Sequence, residues 1–358
     1  GPDIMKTAFV LIAALAAPAA ADTIDALRAP HLASMPRTHA EAARIKSVPA
    51  PPADFTKPEA FEGLPAGAAT VRARNSADAF SQPSANLGFD GELNFKVGDG
   101  LFRKIWVSSP SSTLASDGLG PLYNARSCQR CHLKDGRGHP PGPGAGDAVS
   151  MFLRISVPAG PGDVMTDIEA FLEEIDGPAP RTRRHPVYGG QMQDFALPGQ
   201  AAEYALEVTY REIPVALAGG QIASLRAPTY GAGRLGHGPL GQGAMLSARV
   251  APQMIGLGLL EAIDPADILG AEDPDDANGD GVSGRAQIVW SAQFQRPMLG
   301  RFGLKAGAPT IRHQSAEAFA GDIGISSPLF PAPWGDCTAA EIACRAAPHG
   351  DEDGPEVS

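Results

Sequence analysis

Three residues within one turn of chain, Cys128, Cys131 and His132, declare their chemistry most openly. Two thiols three positions apart can each close a thioether to a haem vinyl group, and the adjacent imidazole then sits beneath the iron as its axial ligand. The pattern Cys-x-x-Cys-His occurs once in the chain, so one covalent haem c is expected. Two other uses of a Cys-x-x-Cys pair stand beside this one. Structural zinc needs two more ligands at finger-like spacing, and His139, the next histidine downstream, has no companion. A redox dithiol prefers a strand-to-helix turn in a thioredoxin-like unit, whereas 118–127 reads as a loop.

Two further clusters carry metal or sulfur chemistry. Asp276, Asn278 and Asp280 place side-chain oxygens on alternate residues, Gly281 allows a sharp turn, and the Val282 carbonyl can add a ligand. The bidentate Glu of an EF-hand is replaced by Gln287, and no flanking helix pair is evident. The expectation is a calcium loop outside the EF-hand fold, over 273–285, with Asp273 and Asp275 able to add oxygens; an ordinary acidic turn has the same composition. Cys337 and Cys344 form an isolated pair, which in an exported chain reads as a disulfide. For a sixth iron ligand, His139, His185, His237, His313 and Met192 are all available and none stands out, which favours an open or water-bound position.

The elements that must position these residues are short. The chain holds 42 glycines and 34 prolines among 358 residues, well above ordinary usage, so turns and loops are prominent. A net charge of −11 argues against a nucleic-acid partner. Gly1-Pro2-Asp3-Ile4 reads as a cloning scar before Met5. Lys6, the apolar run 8–17 and Ala19-Ala20-Ala21 then read as an export signal, 5–21, cleaved before Asp22. The apolar run is too short to span a bilayer, and no transmembrane segment is expected after cleavage. Export and haem c attachment agree on a periplasmic location.

Residues 22–75 read as an Ala/Pro-rich extension with a short helix near 40–45. A helix with an apolar face is expected around 98–106, a strand over 151–158, and a helix over 166–175 with a Thr166/Glu169 capping box and a Gly177 stop. Period-two alternation over 203–215 and the Gly219-Gly220 pair predict a hairpin. Further helices are expected over 254–263, 265–269 and 310–323.

Several motifs together resemble the bacterial di-haem thiol oxidoreductase family, which is related to di-haem cytochrome c peroxidases. They are Gly118-Leu119-Gly120-Pro121-Leu122-Tyr123-Asn124 before the haem motif, Asp135-Gly136-Arg137-Gly138 after it, Ser247-Ala248-Arg249-Val250-Ala251-Pro252, 255–263, Gly300-Arg301-Phe302-Gly303 and Asp322-Ile323-Gly324-Ile325. The resemblance covers about 85–358. Family members carry a second haem motif in a C-terminal segment; this chain stops at Ser358, about where that segment would begin, and so resembles the N-terminal haem portion. The family usually has Trp where this chain has Leu304. In the related peroxidases a Gln and a Glu ten residues apart line the distal face of the N-terminal haem. By analogy Gln193 would orient bound oxygen and Glu203 would move a proton between peroxide oxygens.

The expectation is therefore a mainly α, loop-rich, cytochrome c-like haem domain over 76–358, with a small antiparallel β insertion at about 148–230. The resemblance implies a periplasmic, peroxidase-like oxidoreductase that meets a redox partner protein and a small oxidant such as peroxide. A non-catalytic electron-transfer cytochrome is the alternative.

Overall fold

The computed structural model describes residues 27–32, 38–48, 50–142, 150–351 and 354–357. The expected scar at 1–4 and export signal at 5–21 lie outside the described residues. The chain divides into two compact units that interleave in sequence: 1–70, 166–177 and 256–314 form one, and 71–165, 178–255 and 315–358 the other.

In the first unit, helix Asp167–Asp176 supplies much of the core. Thr166 and Glu169 close a reciprocal cap, with the Glu169 carboxylate accepting the Thr166 N–H at 2.8 Å, and Gly177 ends the helix at φ 80°. The face set by that cap carries Ile168, Phe171 and Leu172 onto Ile288, Leu299 and Leu27. Ile288 and Leu299 are register partners in the hairpin Ile288–Ser291 with Arg296–Leu299. Helix Pro265–Leu269 starts from Asp264, whose carboxylate accepts the Ala266 N–H at 2.9 Å and a hydrogen bond from Arg28 at 2.7 Å.

In the second unit, strand Met151–Pro158 alternates as its sequence dictates: Met151, Leu153 and Ile155 are buried and the residues between them half-buried. It pairs antiparallel with Met245–Val250, and its end pairs with Thr182–Arg183. Leu153 and Ile155 pack with Tyr188, Met192 and Tyr204. The long hairpin Ala205–Ala216 with Ile222–Gly233 turns through Gly219 and Gly220, both at positive φ.

A second core in this unit joins Trp106, Leu119, Ile323 and Ile325. Its Ile323 ends a π-turn, Phe319–Ile323, that continues the helix Ile311–Ala318. Here three glycines meet. A Cβ on Gly120 would lie 2.5 Å from the Gly324 Cα, and one on Gly335 would lie 2.7 Å from the same atom. Gly324 itself sits at φ 76°. Backbone packs directly on backbone at this point, which only glycine allows.

The expectation of a mainly α, cytochrome c-like domain is corrected. Helix accounts for 26% of the chain and strand for 19%, spread over four small sheets among the described residues. The apolar patterns read as helices are cut short by the residues around them. The 254–263 run forms only Leu257–Glu261, because Gly256 enters it in the left-handed conformation and Asp264 starts a new cap. The helix expected around 98–106 lies earlier, at Phe89–Arg103, and Trp106 is buried from an extended segment.

Gly120→Ala or Gly324→Ala should destabilise the protein by about 1–3 kcal/mol through overpacking alone, with extra strain at Gly324. Denaturant unfolding of each variant checks this, and an unchanged midpoint would contradict the backbone contact.

Candidate functional site

Cys128–Cys131 is one helical turn, and the His132 N–H closes it by donating to the Cys128 carbonyl at 3.0 Å. Lys134 and Asp135 then take positive φ and the chain doubles back. The Met254 N–H donates to the Asp135 carbonyl and the Gly138 N–H to the Ala251 carbonyl, each at 2.9 Å. This return brings Pro252 to the imidazole, so that His132 Nδ1 lies 2.6 Å from the Pro252 carbonyl oxygen. A carbonyl only accepts, so Nδ1 carries the ring proton and Nε2 keeps its lone pair for a metal.

Helix Phe89–Arg103 packs beside the cysteine turn, with the Phe102 ring 6.1 Å from the His132 ring. The same helix leaves Phe89, Leu93 and Val97 exposed at one-turn spacing. Two thiols, an imidazole with Nε2 available and an uncovered apolar stripe on the adjoining helix fit a covalently held porphyrin. They do not fit a redox dithiol. Burial, reinforced by the Asp322 charge, pushes the Cys128 thiol up to about 12 and raises Cys131 as well, whereas thiol exchange depends on a lowered thiol pKa.

The approach to this turn is pinned by the π-turn. The Asn124 and Ala125 N–H groups donate to the Asp322 carbonyl at 2.8 and 3.0 Å, and the Gly120 N–H to that of Ile323 at 3.0 Å. Asn124 Nδ2 donates to the Met192 carbonyl at 2.9 Å and to Asp194 at 2.8 Å. Gln191 Nε2 reaches Asn124 Oδ1 at 2.6 Å and Asp322 Oδ1 at 2.7 Å, and Gln193 Nε2 donates to the Gly321 carbonyl at 2.8 Å. The side-chain oxygens of both glutamines are buried without a hydrogen-bond partner. Desolvation raises the pKa of Asp322, opposed by its Gln191 hydrogen bond.

Gln193 and Glu203, chosen for their spacing, are brought together. The Glu203 N–H donates to the Gln193 carbonyl at 2.9 Å, and the Gln193 N–H donates back to Glu203 Oε2. Glu203 is buried, and burial followed by the charge of Glu341 pushes its pKa up to about 10. Its carboxyl therefore stays protonated at neutral pH and can donate rather than only accept.

The remaining candidates separate. In the 273–285 loop, Asp276 accepts the Gly281 N–H, Asn278 the Asp280 N–H and Asp280 the Val282 N–H. Among the described residues no group of three or more His, Cys, Asp or Glu is arranged to hold a metal ion, so the calcium reading gains no support. Cys337 and Cys344 are joined in a disulfide. Met192 is fully buried in the core with Leu153 and Tyr188. His185 has both ring nitrogens engaged, Nε2 with the Leu240 carbonyl and Nδ1 accepting from Val187 and Tyr188. His313 Nδ1 accepts the Ala292 N–H in the other unit. Leu304 is 61% exposed.

Sequence reading missed Pro252, Gln191 and Glu341. Pro252 acts through its carbonyl, for which no side-chain signal exists. Gln191 stands two residues before Gln193 on one extended segment, a period-two signal that was available. Glu341 lies inside the Cys337–Cys344 loop, where its enclosure was the visible clue.

A family model described as "Di-haem oxidoreductase, putative peroxidase" matches residues 63–340. Neither the curated proteins nor the solved structures yield a match.

The raised Glu203 pKa has a stability signature. Between the ordinary value of 4.5 and about 10, the folded state holds a proton that the unfolded state gives up. Its stabilising contribution is whole below 4.5 and is lost as pH rises through about 10. Stability should fall across that window, with a slope from this group of at most about 1.4 kcal/mol per pH unit. Glu203→Gln should flatten the slope, as read by denaturant midpoints at several pH values.

Proposed function

This chain belongs to the di-haem oxidoreductase family, and from that premise we propose that it is a periplasmic, haem c-dependent oxidoreductase that reduces peroxide. Cys128 and Cys131 would hold the group through thioethers, with His132 Nε2 on the iron. The observation that carries this reading is the Pro252 carbonyl 2.6 Å from His132 Nδ1, beside two thiols in the same turn. When bound, a haem supplies redox-active iron that passes electrons from a partner protein to the oxidant.

The chain's own residues supply orientation and protons. The Pro252 carbonyl fixes the imidazole tautomer and its plane. The unpartnered Gln193 Oε1 is an acceptor for a hydroxylic ligand, while its Nε2 is anchored on Gly321. Glu203, neutral at working pH, delivers a proton to the departing peroxide oxygen. Peroxide reduction consumes two electrons and two protons per molecule. The electrons come from the redox partner and the protons from Glu203 and solvent.

Peroxide-dependent oxidation of a reduced cytochrome donor by the haem-loaded protein tests the reading. Turnover should be present in the wild type and fall by about 10²–10⁴-fold in Glu203→Gln. No turnover, together with a low-spin spectrum unmoved by cyanide or carbon monoxide, would instead support the electron-carrier alternative.

A further inference from the structure

Glu203 does not lie alone in the interior. Glu341 is 3% exposed and Glu203 2%, and the two side chains are close enough that, after burial, Glu341 is what raises the Glu203 carboxyl most. Glu341 is delivered by the disulfide loop. Asp336, just before that loop, accepts the Gly190 and Gln191 N–H groups at 3.0 and 3.1 Å. Thr338 Oγ1 donates to the Val187 carbonyl at 2.7 Å, and the Thr338 N–H donates to Glu341 Oε2 at 2.7 Å. The Cys337–Cys344 bond then closes the loop around Glu341. These anchors lie on the stretch 187–191, which leads directly into Gln193, and Gln200 Nε2 adds a hydrogen bond to the Ala343 carbonyl at 3.1 Å.

On its outer side Glu341 meets His237. Nε2 of His237 is 3.4 Å from Glu341 Oε1, and both atoms are buried with no hydrogen-bond partner. The histidine side chain is 26% exposed while that of Glu341 is 1% exposed. His237 therefore spans from solvent to the buried pair. Its backbone N–H donates to the Tyr188 hydroxyl at 3.1 Å, and that hydroxyl donates to the Gly238 carbonyl. The titratable groups around Glu203 are thus Glu341 from the disulfide loop, His237 beyond it, and the phenols of Tyr188 and Tyr204, each raised mainly by burial. Asp194 acts on Tyr204.

We propose that Glu203 and Glu341 form a proton-sharing carboxyl pair, that the Cys337–Cys344 loop exists to position Glu341, and that His237 is the route by which protons reach the pair from solvent. This deepens, and rests on, the assignment of Glu203 as proton donor. Two buried carboxyls in contact cannot both ionise at low cost, so the pair retains one proton at neutral pH. When Glu203 gives up its proton, two carboxylates remain. The N–H bond at His237 Nε2 then breaks as an O–H bond forms on Glu341 Oε1, and the imidazole takes a replacement proton from a hydronium ion of the solvent, leaving water. Glu341 acts through Glu203 and is a positioning residue.

Infrared spectroscopy of the haem-loaded protein over a pH series reads the pair directly. Wild type labelled with ¹³C-glutamate should show a label-sensitive protonated carboxyl band at neutral pH; its absence overturns the proposal without recourse to any variant. The band should vanish in Glu203→Gln. In Glu341→Gln its pH midpoint should drop by more than a unit, since the neighbouring charge is gone; an unmoved midpoint overturns the proposal. His237→Gln should keep the midpoint near that of Glu203–Glu341 while slowing turnover at high pH, and an unchanged pH–rate profile would remove His237 from the route. If the infrared results hold but Glu203→Gln turns over peroxide normally, the pair stands and the catalytic assignment of Glu203 falls.

Discussion

Three consecutive carbonyls of the π-turn, those of Gly321, Asp322 and Ile323, set the geometry of the site. They accept from the Gln191 and Gln193 side chains, from the Asn124 and Ala125 N–H groups, and from the Gly120 N–H. A buried carbonyl without a donor costs about 1–3 kcal/mol, so each must be met by another segment. The donors come from the approach to the cysteine turn and from the segment 191–193 that precedes Glu203. One wide helical turn thereby ties the approach to the cysteine turn to the segment that carries Gln191 and Gln193, and π-turns often lie at functional sites. The meeting of Gly120, Gly324 and Gly335 lets the backbones come close enough for these bonds to form.

Burial then produces two results of opposite use. At Cys128 and Cys131 it raises the thiols, the opposite of the lowered value that favours disulfide exchange. At Glu203 it keeps a carboxyl neutral where an exposed one would be ionised. The same desolvation that raises one pair of thiols also raises a carboxyl. Specific neighbours decide the outcome: Asp322 beside the thiols, Glu341 beside the carboxyl.

What the sequence made legible was local. The Thr166/Glu169 cap, the alternation of Met151–Pro158 and the Gly219-Gly220 turn each rest on neighbours within a few residues, and each was readable. The spacing of Cys128, Cys131 and His132 was readable as one short stretch, and the structure forms it as a single helical turn closed by His132. The fold class was misread because apolar runs such as 254–263 were credited with more helix than their flanking Gly256 and Asp264 permit. The orientation of His132 by Pro252 and the approach of Glu341 to Glu203 were out of reach for another reason. Each joins segments far apart in sequence, and one partner offers only a main-chain carbonyl. The motif 247–252 was recognisable as a pattern, yet its purpose became clear only when strand Met245–Val250 was seen running into the residue that holds the imidazole.

The central claim is that this chain holds a haem through Cys128 and Cys131. Intact-mass analysis of the protein, produced in a host able to attach haem c, tests it most directly. Wild type should weigh the chain plus one haem and show a c-type absorption spectrum, and Cys128→Ser with Cys131→Ser should weigh the bare chain. A colourless wild-type protein at the bare-chain mass would contradict the account.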